Sequence, residues 1–458
     1  MFSPDDTIVA VSTPPGRGGI GVVRISGPDA VAIARAILNR TEPLEPRLAT
    51  VTAVVSPSSG QRVDRVLVTY FPDPASYTGE NVVEISGHGS PVLLRRIVEL
   101  AVLAGARLAE PGEFTLRAFL NGRIDLVQAE AVGDLIRAVT PLQARAAFDQ
   151  LEGTITRQIS EIERELFDLV IRLEASVDFP EEGYHFVAPT AVGASTRRLI
   201  EQTDRLLNES HRGRLIREGG QVVILGKPNV GKSTLFNLLL GSPRAIVTNV
   251  AGTTRDLLTE TLELDGIAVT LVDTAGMRST EDVIESEGVS RARGALAVAR
   301  VVLIVLDQSR SLEDDDAALL EMSHLVDRVV VVNKIDLPPK WSDVGTQAGA
   351  RTETVVRVSL VNDGGDALTR ISQAVARVLL AGEELRDPPM ITNLRHIDLL
   401  KRTRIALMRA VDAADERAPE ELVLADLAEA QRALGAVTGQ RTSDEVLNRI
   451  FAEFCIGK

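Results

Sequence analysis

The octapeptide Gly226-Lys227-Pro228-Asn229-Val230-Gly231-Lys232-Ser233 constrains this chain more than any other feature. It follows an apolar run at 221–225 and opens a helical run at 234–240. A G-x-x-x-x-G-K-[ST] pattern between strand and helix turns successive backbone N–H groups inward around phosphates. Lys232 supplies a point charge to the outer phosphates, Ser233 offers a hydroxyl to Mg²⁺, and the helix start at Thr234 adds a partial positive charge. Further apolar runs at 267–272, 301–306, 329–332 and 355–359 are mostly separated by helical stretches. Fully apolar strands alternating with helices predict a mainly parallel sheet covered on both faces.

Three more motifs follow in order. Asp273-Thr274-Ala275-Gly276 closes the run at 267–272, where a carboxylate stands beside a magnesium and a glycine N–H near the last phosphate. Asn333-Lys334-Ile335-Asp336 closes the run at 329–332; its Asp336 can accept from both N1–H and the N2 amine of guanine, an edge that adenine lacks. Gly252-Thr253-Thr254-Arg255-Asp256 occupies the place of a switch loop, with Thr254 as a second hydroxyl for Mg²⁺. Together these predict a GTPase. The residue after Asp-Thr-Ala-Gly is Met277, which cannot orient a water as a glutamine would. That task falls to another polar group or to a monovalent cation. Asn229 with the hydroxyl- and carbonyl-rich stretch 248–254 offers one answer, and the carboxylates of 281–285 offer another.

The rest of the chain has different textures. Residues 1–120 mix short β-rich runs with turns and one helix-like segment at 92–103, an α+β reading. Leu151, Ile155, Ile159, Ile162, Leu166, Leu169 and Leu173 recur at helical spacing and predict one long amphipathic helix, followed by a second at 189–215. After 383 the pattern is helical again, with Thr442 and Glu445 reading as a capping box. The expected organisation is therefore an N-terminal α+β domain (1–120), a helical domain in two parts (121–219 and 383–458), and an α/β domain (220–382) inserted between them. A net charge of −14 excludes a bulk-basic nucleic-acid coat. The single cysteine, Cys455, excludes a disulfide framework, and the histidines lack metal-ligand spacing. No apolar run is long enough to cross a bilayer, and the first ten residues do not read as a signal peptide, so a cytoplasmic location is expected.

These motifs occur together with Asp6-Thr7-Ile8-Val9-Ala10, Pro14-Pro15-Gly16-Arg17-Gly18-Gly19, Tyr77-Thr78-Gly79-Glu80, Gly87-His88-Gly89 and Cys455-Ile456-Gly457-Lys458. In that combination the chain closely resembles, from end to end, the MnmE (TrmE) family of tRNA modification GTPases. The resemblance implies a folate-binding and dimerising N-terminal domain, a helical middle domain and an inserted Ras-like P-loop GTPase domain. It implies a homodimer that joins an FAD-dependent partner, the GidA/MnmG protein, in a heterotetramer. That assembly adds a carboxymethylaminomethyl group to C5 of the wobble uridine of certain tRNAs. A reduced folate (5-formyl- or methylene-tetrahydrofolate) supplies the one-carbon unit, and potassium-dependent GTP hydrolysis accompanies the reaction. By the same resemblance Asn229, Thr248, Val250 and Thr253 hold K⁺, Ser233 and Thr254 hold Mg²⁺, and Glu285 positions the attacking water beside the catalytic Lys232. The GTP contacts extend over Asn229 to Thr234, over Thr248, Asn249, Val250, Ala251, Gly252, Thr253 and Thr254, over Asp273 to Gly276 with Thr274 and Ala275, and over Asn333, Lys334, Asp336, Ser359 and Leu360. Arg24, Glu84, Arg123 and Lys458 match folate-contacting positions, and Cys455 matches a family cysteine whose role stays open.

Read from the residues alone, Glu84 suits a pterin ring and Arg24 or Arg123 a folate tail, but charges on a strand face fit Arg24 and Glu84 equally simply. For tRNA, the clusters Arg197-Arg198-Arg205-His211-Arg212-Arg214-Arg217 and Arg395-His396-Lys401-Arg402-Arg404 are candidate patches, or ordinary solvated helix faces. A pure conformational switch or assembly factor, altering no covalent substrate, is the alternative to a modifying enzyme.

Overall fold

Val23 and Ile25 point to one side of a strand and Arg24 to the other, and this alternation repeats along its neighbours. The computed structural model describes residues 6–178, 189–208, 210–241, 245–246, 259–273, 296, 299–324, 326–342, 353–382, 391–440 and 442–457. They divide into two compact units: 1–133 with 150–188 and 416–458, and 134–149 with 189–415.

In the first unit, β1 (Ile8–Val11), β2 (Gly18–Ser26), β3 (Thr50–Val55), β4 (Arg62–Phe71), β5 (Val82–Gly89) and β6 (Arg107–Leu108) form one sheet in the order β3-β4-β5-β2-β1-β6. All neighbours are antiparallel except β1 and β6. Val23, Ile25, Val66, Val68, Val83 and Ile85 are buried with Ile33 and Ile37 of the Ala30–Ile37 helix and with Leu94 and Ile97 of the Pro91–Leu103 helix. The expected helix at 92–103 is thus present. On β3 and β4, Val51 and Leu67 stay exposed.

The long apolar stripe forms the helix Thr154–Asp178, in which Ile155, Ile159, Ile162, Leu166, Leu169 and Leu173 are all buried. It packs on the helix Glu420–Thr438. Leu151 belongs instead to the preceding helix, Pro141–Leu151, because Gly153 at φ +75° breaks the run between them. The final helix, Asp444–Ala452, is capped by Ser443 rather than Thr442, one residue later than the capping-box reading, and Ser443 makes no side-chain cap hydrogen bond. Its Leu447, Phe451 and Phe454 bury against Leu116, Leu126 and Ala129. The tail then returns to the sheet domain: Gly112 N–H donates to the Cys455 carbonyl at 3.3 Å, and Ile456 bridges to Pro111.

In the second unit, β7 (Gly220–Leu225), β8 (Ala245–Ile246), β9 (Thr259–Leu264), β10 (Ile267–Asp273), β11 (Val301–Asp307), β12 (Asp327–Asn333) and β13 (Glu353–Arg357) form a sheet in the order β13-β12-β11-β7-β10-β9-β8. The five strands β13, β12, β11, β7 and β10 run parallel, as their unbroken apolar character predicts. Strand β9 is antiparallel to β10. Asp265 and Gly266, at φ +49° and +87°, make the two-residue turn that joins them. The expected helix at 189–215 is two helices, Pro189–Asn208 and Ser210–Glu218. The first of these packs along Leu394–Asp415.

Candidate functional site

The phosphate loop leaves β7 at its C-terminal end and enters the helix Lys232–Leu240. Gly226 and Gly231 have φ of +151° and +113°. Neither position has space for a side chain: a Cβ at Gly226 would lie 2.5 Å from the Val305 carbonyl oxygen, and one at Gly231 would lie 2.3 Å from Asn333 Nδ2. Asn229 also takes a left-handed conformation, at φ +64°, which an asparagine tolerates better than a branched residue. Lys232 Nζ donates to the Lys227 carbonyl at 2.7 Å, across the mouth of the loop. Ser233 and Thr234 are exposed at the helix start and Val230 is buried beneath the loop.

A second loop clasps the first. Asn333, at the end of β12, donates from Nδ2 to the Val230 carbonyl at 2.8 Å, and its Oδ1 accepts from the Leu360 N–H at 3.1 Å. Lys334 Nζ donates to the Asn229 carbonyl at 3.0 Å and to Asp307 Oδ2 at 2.6 Å. Ser359 N–H donates to Asp363 Oδ2 at 2.7 Å, and Ser359 Oγ accepts from the Asn362 N–H at 3.2 Å. Asp336, three residues beyond the end of β12, is exposed. Asp273 is the last residue of β10 and pairs in register with Ile224 of β7, next to the strand that feeds the loop. The structure therefore brings Asn229, Val230, Gly231, Lys232, Ser233, Thr234, Asn333, Lys334, Asp336, Ser359 and Leu360 to one end of one sheet. Thr248, Asn249, Val250, Ala251, Gly252, Thr253, Thr254, Thr274, Ala275, Gly276 and Glu285 lie outside the described residues.

Asp307 was not among the residues singled out from the sequence, and it sits inside this clasp. Burial pushes its carboxyl pKa up, but the hydrogen bonds from Lys334 and Ser309 prevail and hold it below the usual carboxylate range. Its signal in the sequence was a lone acid closing an apolar strand at the same end as Asn333. The Lys227 side chain pairs with Asp316 and Glu313 at 2.8 and 2.7 Å, and these two acids hold its pKa up.

In the first unit, Arg24 and Glu84 are register partners on β2 and β5 and form an ion pair, Nε to Oε1 at 2.9 Å. The Arg24 guanidinium lies 5.1 Å from the Tyr77 ring centroid and 5.6 Å from that of Phe114. The exposed Arg123 packs its stem against Gly79, where an added Cβ would meet Arg123 Cγ at 3.1 Å. Gly457, at φ +93°, lies against Val11: a Cβ there would sit 2.2 Å from the Val11 carbonyl oxygen. Its neighbour on β1, Ala10, pairs with Arg24. Glu84 and Tyr77 thus meet Arg24 on β2, Arg123 stands against Gly79, and the chain's last turn stands against Val11 at the end of β1. Lys458 lies outside the described residues. Cys455 is exposed.

The family described as "GTP-binding protein TrmE N-terminus" matches residues 7–123, and the "MnmE helical domain" matches residues 126–455. The tRNA modification GTPase MnmE of Koribacter versatilis is 44% identical over 99% of this chain and 99% of its own. The protein of the same name from Moorella thermoacetica is 43% identical over 99% of this chain and 100% of its own. The chain belongs to the MnmE family. Among solved structures it also matches the G domain of the T. maritima FeoB iron transporter, 25% identical over 34% of this chain and 98% of that one, at a TM-score of 0.25.

Within this MnmE-family chain half of the arginines and lysines in the two basic clusters are paired with acids. Arg197 faces Asp415, Arg214 faces Glu218, Arg217 faces Asp134, Arg402 faces Asp398 and Arg404 faces Asp204. Such pairing fits solvated helix faces better than a bare cationic track. The N-terminal unit also contains a partly buried charge network that sequence reasoning did not single out as a unit. Arg107 and Arg117 share Asp6 and Glu113, with Arg107 Nη2 2.6 Å from Glu113 Oε1 and Arg117 Nη2 2.6 Å from Asp6 Oδ1. Arg117 also reaches Glu80 at 3.2 Å. Among the described residues no helix is long and apolar enough to cross a membrane, and no cluster of His, Cys, Asp and Glu is arranged to hold a metal.

Proposed function

We propose that this chain is a potassium-dependent GTPase that couples GTP cleavage to addition of a carboxymethylaminomethyl group at C5 of wobble uridine, together with an FAD-dependent partner. As a member of the MnmE family the chain is a GTPase that takes part in tRNA modification. The observation that carries the finer reading is the clasp between the two loops. Gly231 has no room for a side chain because Asn333 fills the space, so the phosphate loop and the base loop are built as one surface. Such a surface grips triphosphate through main-chain N–H groups and Lys232, and reads guanine through Asp336.

The donor set suits the ions that the family pattern assigns. Ser233 presents an exposed hydroxyl at a helix N-terminus, the placement that Mg²⁺ needs, with Thr254 as its partner. Asn229 presents an amide whose backbone Lys334 already holds, and Thr248, Val250 and Thr253 complete the oxygen set for K⁺. A monovalent cation held there would supply positive charge to the transferring phosphoryl group, the task of an arginine finger in other GTPases. Glu285 positions the attacking water. In the N-terminal unit, Glu84 and Arg24 with Arg123 and Lys458 hold a reduced folate: the carboxylate pairs with pterin donors and the cations with its acidic tail. The working form is a cytoplasmic homodimer in complex with its flavoprotein partner and tRNA.

The test is kinetic. GTP hydrolysis in KCl is expected to exceed that in NaCl at matched ionic strength, and Glu285→Ala to keep GTP binding while losing most turnover. Equal rates in the two salts would remove Asn229 from a cation site. Calorimetry with 5-formyltetrahydrofolate tests the other half: no binding leaves a GTP-driven switch without covalent substrate as the better account.

A further inference from the structure

We infer that Asp307 is a positioning residue that ties the base-reading loop to the phosphate loop through Lys334, and so sets the place of Asn229. Three facts build the relay. Asp307 ends β11 with its side chain 5% exposed, and its Oδ2 accepts from Lys334 Nζ at 2.6 Å. The same ammonium donates to the Asn229 carbonyl at 3.0 Å. Asp307 is itself fixed, because its Oδ1 accepts from Ser309 N–H at 2.9 Å and Ser309 Oγ at 2.6 Å, and its carbonyl accepts from Trp341 Nε1 at 3.2 Å.

The relay has work to do at both ends. Lys334 and Asn229 stand at φ +63° and +64°, a left-handed conformation that non-glycine residues hold only when their surroundings impose it. A charge-assisted bond from a half-buried ammonium to the Asn229 carbonyl imposes it at the phosphate loop. That bond needs the ammonium aimed, and a long lysine stem is not self-aiming; the buried carboxylate aims it. Asp336 reads the base two residues beyond Lys334, so one carboxylate fixes the backbone on which guanine is read and the residue proposed to hold K⁺. This inference rests on the cation role proposed for Asn229.

The experiment compares the full-length protein with Asp307→Asn, which keeps size and the bonds from Ser309 but discards the charge, and with Lys334→Met, which cuts the relay from its other side. Two quantities are measured: GDP affinity, which involves no cleavage, and the K⁺ concentration giving half-maximal GTP hydrolysis. Both variants are expected to bind GDP about tenfold more weakly and to need about tenfold more K⁺. The double variant is expected to match the singles, because both cut one chain of contacts. Ser309→Ala, which keeps the Asp307 charge and the Ser309 N–H bond but removes the hydroxyl, should move both quantities in the same direction by less than either variant. A general loss of packing would lower the rate at every K⁺ concentration without moving the half-point. GDP affinity within twofold of wild type in Asp307→Asn overturns the relay. A half-point that stays put, in a protein whose wild type does respond to K⁺, overturns its link to Asn229. A wild type indifferent to K⁺ overturns the cation reading instead, and GDP affinity still decides the relay.

Discussion

Asp336 and Gly231 are single residues on which recognition turns, for opposite reasons. Asp336 is exposed, and in the proposed reading it acts by what it offers, a carboxylate that would accept from two guanine donors. Replacing it with asparagine exchanges one acceptor for a donor, so Asp336→Asn is expected to lose GTP and gain xanthosine triphosphate as substrate. A variant that keeps its preference for GTP in a competition assay takes Asp336 off the base. Gly231 acts by what it lacks. At φ +113° and with Asn333 Nδ2 2.3 Å from where a Cβ would stand, Gly231→Ala is strained in backbone and in space. Its GTP affinity should fall at least a hundredfold while its circular dichroism stays native; near-normal binding shows that the two loops can part. Arg117 matters by burial. It is 3% exposed, and Arg117→Leu removes one of the two guanidinium partners of the buried Glu113 carboxylate and leaves it to Arg107 and the Glu110 N–H, so the N-terminal unit should lose on the order of 1.5–3 kcal/mol in denaturant unfolding. These residues differ in legibility. Lys232, Asp336 and Gly231 were readable because phosphate and guanine chemistry demand those types at that spacing. Asp307 and Asp6 were not, because Lys334 and the Arg107–Arg117 pair that they meet come from distant parts of the chain, although Glu113 stands only six and four residues from the same two arginines.

At the scale of elements, periodicity was a good guide and punctuation a poorer one. The apolar runs became β7, β10 and β11 to within a residue at each end, since a strand buried on both faces can hold little but apolar residues, while β12 is longer than its run and β13 starts and ends two residues earlier. The antiparallel β9 went unread although Asp265-Gly266 stands between two alternating runs, the pattern of a tight hairpin. Gly153 cut the long helix at a place where the apolar spacing alone continued smoothly. The tail is an element by docking rather than by propensity. Gly457→Ala, with its Cβ 2.2 Å from the Val11 carbonyl oxygen, should lift the last residues off β1 and weaken folate binding at least tenfold, leaving GTP affinity unchanged. Unaltered folate calorimetry separates the tail from that pocket. The charge cluster has its own pH signature. Arg107 first, then Arg117, hold the Asp6 carboxyl below its ordinary value; burial pushes Glu113 up, but the same arginines and the Glu110 N–H more than reverse it. Groups with depressed folded-state pKa stabilise fully above their unfolded values, about 4, and lose that contribution as pH falls through the folded ones. The thermal midpoint should therefore be flat from about pH 8 to about pH 5 and drop below about pH 4. A midpoint steady to about pH 3 argues that the cluster contributes nothing net.

Across the whole molecule, the order of motifs told more than composition did. The charge of −14 barred a basic coat, and in the structure half of the arginines and lysines in the two candidate patches pair with acids. By contacts, residues 134–149 and 189–218 fall in one unit with the second sheet, and 154–178 and 420–452 in one unit with the first, a grouping that amphipathic spacing does not record, because a stripe shows that a face is buried but not against what. In the proposed cycle, GTP and K⁺ order the loops around Lys232, cleavage releases them, and the change of state is spent on uridine chemistry at the folate site. The most direct measurement is mass spectrometry of wobble nucleosides from cells deleted for this gene and complemented with wild type, Lys232→Ala or Glu285→Ala. The account predicts that C5-carboxymethylaminomethyl uridine disappears on deletion, returns with wild type and stays absent with both variants. Full modification in the deleted cells, or with a variant that no longer cleaves GTP, would contradict it.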